Sequence, residues 1–442
     1  MPTVRWYIRR KINHAISQVN TRLRLTMRPF HLTKRQVLID RLVYDPQVLQ
    51  ATREHAEAEG LAEEIVQSKV IQFAKEIVPA FNAYVYFQFG YWLNRKLSKL
   101  LYRVRVKLLD EELIQNIDSE ATVVFVMNHR SNMDYILLSY LVNKQSTISY
   151  AVGEWAQVWP LNSLIRAMGA FFVRRNSNNP LYRQVLQRYI HMATKEGVAQ
   201  AVFLEGGLTR DGKMRSPKFG FLNYMLKHYN PKTDRDIIFI PIGLNYDRII
   251  EDETLITKRD PDKPRPTKIQ MFKSTLGFYF NHLAGGTKKR QRRFGYAGVN
   301  FGRPLSIHQF CDQKEIDFHA MEQEERFKTT EQLADHLIDE IAHVIPILPV
   351  PLIANIFQNT TEQALTAFEI KTETLHLIQT LQDQGAPIRD HEKPQEQTIQ
   401  RALDQMVHHQ ILKENNKHYT QNREKSTLLN YYANSLSHWK TN

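Results

Sequence analysis

At 442 residues the chain is long enough for a substantial core and two or three domains, and its mean hydropathy of −0.45 argues against a polytopic membrane protein. A single cysteine, Cys311, excludes an internal disulfide and a cysteine zinc cluster, and suits a reducing compartment. The formal net charge of +13 favours an anionic partner: nucleic acid, an anionic membrane, an acidic protein or a phosphorylated substrate.

The charge is unevenly placed. No acidic residue precedes Asp40, whereas Arg5, Arg9, Arg10, Lys11, Arg22 and Arg24 do, with Ile8, Ile12, Ile16, Val19 and Leu23 at helical spacing among them. This predicts a basic amphipathic helix suited to an anionic membrane surface. A transit peptide and a solvated arm are the competing readings. Next, "REHAEAEGLAEEIVQSKVIQFAKEIV" combines helical apolar spacing with strong helix formers. Two later stretches approach membrane-spanning length, residues 77–93 and 341–357. Pro79 and Asn82 interrupt the first, and Pro346, Pro349 and Pro351 the second, so both fall short of about twenty clean apolar residues. The aromatic group Phe81, Tyr84, Phe87, Tyr91 and Trp92 suits the headgroup level of a bilayer. The protein is therefore expected to be peripheral or monotopic.

From about residue 101 short apolar runs alternate with helical stretches: "VRVKLL", "TVVFVM", "TISYAV", "AFFVRR", "QAVFLE", "DIIFIPIGLNY", "KIQMF" and "YAGVNFG". The expectation is an α/β fold, a mixed, largely parallel sheet flanked by helices, with helical N- and C-terminal regions. The organisation read from this is 1–100 basic arm and helical region, 101–305 α/β domain, and 306–442 helical C-terminal region.

Within "TVVFVMNHRSNMDYILLSYLV" a strand ends at Asn128 and an apolar helix resumes after Ser131 and Asn132, both good N-cap residues. His129 and Asp134 are five apart, roughly 140° around a regular helix. They meet only if His129 lies in the loop and Asp134 in the first helical turn. Asp134 would then hold one imidazole nitrogen and leave the other free to take a proton. No G-x-S-x-G elbow supplies a nucleophile, so the hydroxyl is assigned to the substrate, with His129 deprotonating an alcohol that attacks an activated acyl group. A plain helix-capping pair is the other reading of this motif.

In "VFLEGGLTRDGKMRSPKFGFL" a strand ends at Glu205, Gly206 and Gly207 allow a tight turn, and Arg210, Lys213, Arg215 and Lys218 follow. Backbone N–H groups and cations converge there as for an anion; a solvated basic turn is the alternative. In "GAFFVRRN" Arg174 and Arg175 close another apolar run, as anion ligands or as protective charges at a sheet edge. "GGTKKRQRRFG" is a basic run fit for headgroups, an acidic carrier protein or solvent. No recognition motif accompanies it, so nucleic acid is not expected as a partner. No H-E-x-x-H spacing occurs, and no metal is expected.

"NHRSNMD", "GAFFVRR", "FLEGGLTRDGKMRSPKFG" and "IPIGLNYDRI", in this order, resemble the four blocks of the glycerolipid acyltransferases. The family's H-x-x-x-x-D falls on His129 and Asp134, its third block on Phe203, Glu205, Gly206 and Arg210, and its fourth-block proline on Pro241. The long third block ending in "SPKFG", with "VNFGRPLSI", "HVIPILPVPLIA" and "LLNYYANSLSH" downstream, is similar to the glycerol-3-phosphate and dihydroxyacetone-phosphate acyltransferase branch. One departure is Leu208, where the family pattern has an arginine.

The resemblance implies transfer of a fatty acyl group from acyl-CoA or acyl carrier protein to the sn-1 hydroxyl of glycerol 3-phosphate, making lysophosphatidate without a cofactor. His129 and Asp134 would be catalytic. Arg174, Arg175, Glu205, Gly206, Gly207, Arg210, Lys213 and Lys218 would bind substrate. Other acceptors (dihydroxyacetone phosphate or lysophosphatidate) and a non-catalytic membrane-surface protein on the same fold are the alternatives. The expected location is the cytoplasmic face of the inner membrane, or the mitochondrial outer membrane in a eukaryote.

Overall fold

The computed structural model describes residues 35–142, 148–153, 161–174, 177–252, 294–360, 364–386, 388 and 396–439. The basic N-terminal helix, Arg175, the "KIQMF" strand and the cations of "TKKRQRR" lie outside the described residues.

An eight-stranded sheet forms the centre. Its strands are β1 (Arg103–Leu108), β2 (Thr122–Met127), β3 (Ser149–Gly153), β4 (Ala170–Val173), β5 (Gln200–Phe203), β6 (Ile237–Tyr246), β7 (Tyr296–Phe301) and β8 (Leu305–Ser306). The order is β1-β7-β6-β2-β5-β3-β4, with β8 on β6. Strands β6, β2, β5, β3 and β4 run parallel, while β7 and β8 run antiparallel to β6. The mixed, largely parallel sheet expected from the alternating texture is present.

Strand β2 shows why the sheet is covered on both sides. All six residues of "TVVFVM" are buried, as parallel strands between helical layers require. Successive side chains alternate between faces, so Val123, Phe125 and Met127 join one apolar core and Val124 and Val126 the other. The first core also takes in the helices Met133–Val142, Pro349–Asn359, Glu396–His408 and Ser426–Ala433. The second holds the N-terminal helices with Pro180–Lys195 and Gln323–His343.

Local chemistry sets the helix ends. In the N-terminal region the predicted helical run is two helices, Pro46–Glu59 and Glu63–Ile77, because Gly60 closes the first with φ 63°. Asp45 caps Pro46–Glu59 by accepting the Gln47 N–H, with Pro46 at the first turn. The proline-rich stretch breaks after His343 and restarts as Pro349–Asn359, again with proline at its start. Among the described residues no helix is long and apolar enough to cross a membrane.

The C-terminal region is not purely helical. Strands β9 (Leu365–Thr366), β10 (Leu412–Asn415) and β11 (His418–Gln421) form a small antiparallel sheet in the order β10-β11-β9. Asn416 and Lys417, at φ 50° and 62°, make the turn between β10 and β11. Two successive left-handed residues match the right-handed twist of a two-stranded hairpin. This region locks onto the large sheet through Asp247. One of its carboxylate oxygens accepts the Val350 N–H (3.0 Å) and the other the Tyr296 N–H (2.8 Å). Burial pushes the Asp247 carboxyl up to about 6 against these two donors.

Candidate active site

Strands β2 and β5 end side by side, with Met127 opposite Phe203. The carboxyl ends of adjacent parallel strands form the crevice where open α/β sheets bind ligands. Asn128 ends β2 without losing the pairing to β6. Its side-chain amide donates to the Leu244 carbonyl (2.9 Å) and accepts the Leu244 N–H (2.8 Å). The side chain thus continues the ladder while the main chain turns away and presents His129.

The backbone of His129 is fixed at both its polar groups. Its N–H donates to Glu205 Oε1 (2.8 Å), and its carbonyl accepts the Thr209 N–H (3.0 Å). Its ring stacks on Phe203, with centroids 3.8 Å apart and planes 18° apart. Nδ1 lies 2.9 Å from Asp134 Oδ2. A carboxylate oxygen only accepts, so Nδ1 carries the proton and Nε2 presents its lone pair. Nε2 has no hydrogen-bond partner among the described residues, and the ring is slightly open to solvent.

Asp134 sits in the first turn of Met133–Val142 and is fully buried. Besides the imidazole, Oδ2 accepts the N–H groups of Arg130 (2.7 Å) and Ser131 (3.0 Å). Oδ1 accepts the hydroxyl of Tyr246 (2.6 Å), from the end of β6. Four donors converge on one carboxylate, which is how a charge is tolerated in a dry interior. Burial together with the Asp134 charge holds the Tyr246 hydroxyl far above its ordinary range, so it remains a donor. The turn itself is tied by Glu251, which accepts the Ser131 hydroxyl (2.7 Å) and the Asn132 N–H (3.2 Å).

The second motif faces the first. Glu205 is buried, and its other oxygen accepts the Arg215 N–H (3.0 Å). Burial raises its carboxyl, opposed by the His129 N–H and the Arg130 guanidinium. Both carboxylate oxygens are therefore engaged by main chain, and the carboxylate braces the loop against His129. Gly206 turns with φ 66°, where an added Cβ would stand 2.9 Å from Lys218 Cγ, and Gly207 is buried beneath it. Arg210, Lys213 and Lys218 are exposed on this loop. Leu208, at the family's arginine position, packs against the apolar core.

Arg174 stands apart. Its guanidinium forks onto Glu76 at 3.0 and 2.6 Å, between the rings of Phe73 and Tyr182.

A third element backs the loop. The Arg130 guanidinium is buried and donates to the Gly212 carbonyl (3.0 Å). Asn434 donates to the Asp211 carbonyl (2.8 Å), and Tyr431 reaches the Arg130 carbonyl at 3.5 Å. Gly212 has φ 82°, and an added Cβ would lie 1.8 Å from the Tyr431 carbonyl oxygen. Gly212→Ala is therefore expected to separate loop from helix and to destabilise the fold by about 2–4 kcal/mol, combining backbone strain with a steric clash. Thermal unfolding of the variant beside Gly385→Ala checks this, because Gly385 also has positive φ (90°) but nothing within 4 Å of an added Cβ.

Asn128, Arg130, Tyr246, Glu251 and the C-terminal Tyr431 and Asn434 escape sequence reasoning. Tyr246 carried one signal, a polar-tipped ring beside Asn245 at the end of a strand that is apolar up to Leu244.

A largely parallel sheet carrying a buried histidine–carboxylate pair at its strand ends, faced by a cationic loop, defines a candidate transferase site without a protein nucleophile in its motif. Residues 106–245 match the Acyltransferase family, and residues 280–441 match the glycerol-3-phosphate acyltransferase C-terminal region. The glycerol-3-phosphate acyltransferase of Pseudomonas aeruginosa (strain UCBPP-PA14) is 30% identical over 344 residues, 76% of this chain and 40% of that protein. That of Pseudomonas fluorescens (strain SBW25) is 30% identical over 346 residues, 76% of this chain and 39% of that protein. The chain thus spans about 40% of the length of the curated relatives it matches. The crystal structure of the 1-acyl-sn-glycerophosphate (LPA) acyltransferase from Thermotoga maritima aligns with TM-score 0.32 and 17% identity, over 70% of this chain and 94% of that one, a likeness too distant to bear on the site. The chain belongs to the glycerolipid acyltransferase family, in its glycerol-3-phosphate acyltransferase branch.

Proposed function

We propose that the chain transfers a fatty acyl group from acyl-CoA or acyl carrier protein to the sn-1 hydroxyl of glycerol 3-phosphate. The observation that carries this reading is the His129–Asp134 contact at 2.9 Å with Nε2 left unpartnered beside a cationic loop. Asp134 fixes the tautomer, and Nε2 takes the proton of the acceptor hydroxyl as its oxygen bonds to the thioester carbonyl carbon. Collapse of the tetrahedral adduct breaks the C–S bond, and the imidazolium returns the proton to the leaving thiolate. No atom of the protein becomes covalently bound to the acyl group. General base catalysis of this kind typically contributes about 10²–10⁴-fold, and orientation of two bound substrates supplies much of the rest.

Arg210, with Lys213 and Lys218 on the same loop, is assigned to the acceptor phosphate. Arg174 joins them only by sharing its guanidinium with Glu76, and Arg175 is retained from the motif alone. The assigned location is peripheral or monotopic, on the cytoplasmic face of the inner membrane or, in a eukaryote, on the mitochondrial outer membrane.

Product mass after incubation with one acyl donor and a panel of glycerol 3-phosphate, dihydroxyacetone phosphate and lysophosphatidate tests the reading. Acylation of either competitor in preference to glycerol 3-phosphate overturns the acceptor assignment. Arg210→Ala is expected to raise the KM for glycerol 3-phosphate about 10–100-fold, the equivalent of a charge-assisted phosphate contact, with the acyl-donor KM unchanged. A change in the donor KM alone removes Arg210 from the phosphate site.

A further inference from the structure

We propose that the face carrying Tyr84, Phe89 and Trp92, bordered by Arg95, Lys96 and Lys99, docks the protein onto an anionic lipid bilayer. This deepens the peripheral location proposed above by naming the docking surface, and it rests on acyl transfer only for its functional meaning.

The three aromatic residues are 63%, 44% and 50% exposed. Phe89 and Trp92 lie with ring centroids 6.2 Å apart, so they form one patch, and Lys96 Nζ sits 4.4 Å from the Trp92 ring. Local structure sets the display. A π-helical segment, Val85–Gly90, runs into the helix Tyr91–Leu101. The wider π turn changes the phase of the side chains, so Tyr86 and Gly90 point inward while Phe89 and Trp92 point out. The following helix turns its cations outward and keeps Leu101 buried, with Trp92 exposed on its cationic side. Asn94 and Ser98 are buried, whereas Trp92, Arg95, Lys96 and Lys99 face solvent. A soluble surface gains nothing from clustered exposed rings. Rings beside cations are what an interface between headgroups and acyl chains accommodates.

The charge along this segment is of one sign. No aspartate or glutamate occurs between Glu76 and Asp110, while Arg95, Lys96, Lys99, Arg103, Arg105 and Lys107 all do. Since no described helix is fit to span a bilayer, the patch meets the membrane from its surface. It also sits next to the chemistry. Asn94 donates to Ser139 Oγ (3.0 Å), and Tyr91 and Tyr140 have ring centroids 6.0 Å apart. Both contacts seat this helix on Met133–Val142, whose first turn holds Asp134. A docked bilayer would therefore lie one helix away from the histidine–carboxylate pair.

The test uses the full chain with an environment-sensitive fluorophore on Phe89→Cys or, as control, on Glu331→Cys; Cys311 is buried and leaves the background low. Vesicles of phosphatidylglycerol and phosphatidylcholine, with and without brominated lipid, are added. The label at 89 is expected to shift to the blue and to be quenched by brominated lipid, and the label at 331 is not. A Phe89→Ser, Trp92→Ser double variant is expected to lose about tenfold or more in vesicle partition, given the apolar ring area removed. Its acyl transfer in detergent micelles should be unchanged. The proposal is overturned if the label at 89 stays unquenched while the protein floats with vesicles, if wild-type protein does not bind them, or if the label responds only to acyl carrier protein. His129→Ala should bind vesicles like wild type, so failure of docking and failure of acyl transfer are read separately.

Discussion

Replacing His129 by alanine is expected to lower kcat for acyl transfer by about 10²–10⁴-fold, the contribution typical of a positioned general base. The fold should survive. The main chain at this position is held by Glu205 and Thr209, and alanine keeps both hydrogen bonds. The side chain gives up its stacking on Phe203 and its contact with Asp134. Asp134 still accepts from Arg130, Ser131 and Tyr246, so no bare buried charge remains. Substrate KM values should therefore change little beside kcat. Turnover close to wild type with purified protein in lipid or detergent would remove His129 from the mechanism.

The second large effect is expected at Asp134. Asp134→Asn keeps the shape but offers an amide where one carboxylate oxygen had accepted. If the amide oxygen stays against the backbone N–H groups at Oδ2, the NH₂ confronts the Tyr246 hydroxyl, which can rotate to accept. In the opposite orientation the NH₂ faces Nδ1 and two main-chain donors. The first arrangement is favoured, but the charge that stabilises the imidazolium is gone from both. In a serine protease triad the corresponding change costs about 10⁴ in kcat, and a loss of about 10²–10⁴ is expected here. Tyr246→Phe gives the graded comparison. It removes one hydroxyl and leaves the tautomer-fixing contact intact, so its loss should be about tenfold, the worth of a hydrogen bond to a charged group. Single-turnover rates for the two variants, taken with their unfolding curves, distinguish loss of chemistry from loss of fold. A Tyr246→Phe enzyme as impaired as Asp134→Asn would show that the hydroxyl does more than hold the carboxylate.

Some of this site is readable without coordinates because its physics is local. The β2 strand is a run of β-branched and apolar residues, and a strand buried on both faces needs little else. The five-residue spacing of His129 and Asp134 admits contact only across a loop–helix junction, which is where the two residues stand. What stays hidden depends on partners far away in sequence. Glu76 lies 98 residues before Arg174, and nothing in "GAFFVRR" announces that its first arginine is already engaged. Glu205 reads either as a brace for the glycine turn or as a ligand for a glycerol hydroxyl; its oxygens hold the main chain at His129 and Arg215, partners that the sequence does not announce. The C-terminal hairpin escaped for a different reason. "LKEN" and "HYTQ" are four-residue strands, largely exposed and without a long apolar alternation. Each strand buries a single residue, Leu412 or Tyr419, and the left-handed Asn416–Lys417 turn joins them.

The brace between Tyr431 and the loop beside His129 also has a bearing on time. The Tyr431 and Arg130 positions are 301 residues apart in sequence. At synthesis rates of about 5–20 residues per second, roughly 15–60 s separate the making of the histidine from the making of its support. During that interval the nascent chain holds β2, β5 and their loops, but Gly212 has no carbonyl to pack beneath. Such distant closure is entropically late in folding as well as late in translation. A chain halted before Tyr431 should therefore carry every motif residue of the site yet leave its cation-bearing loop unset.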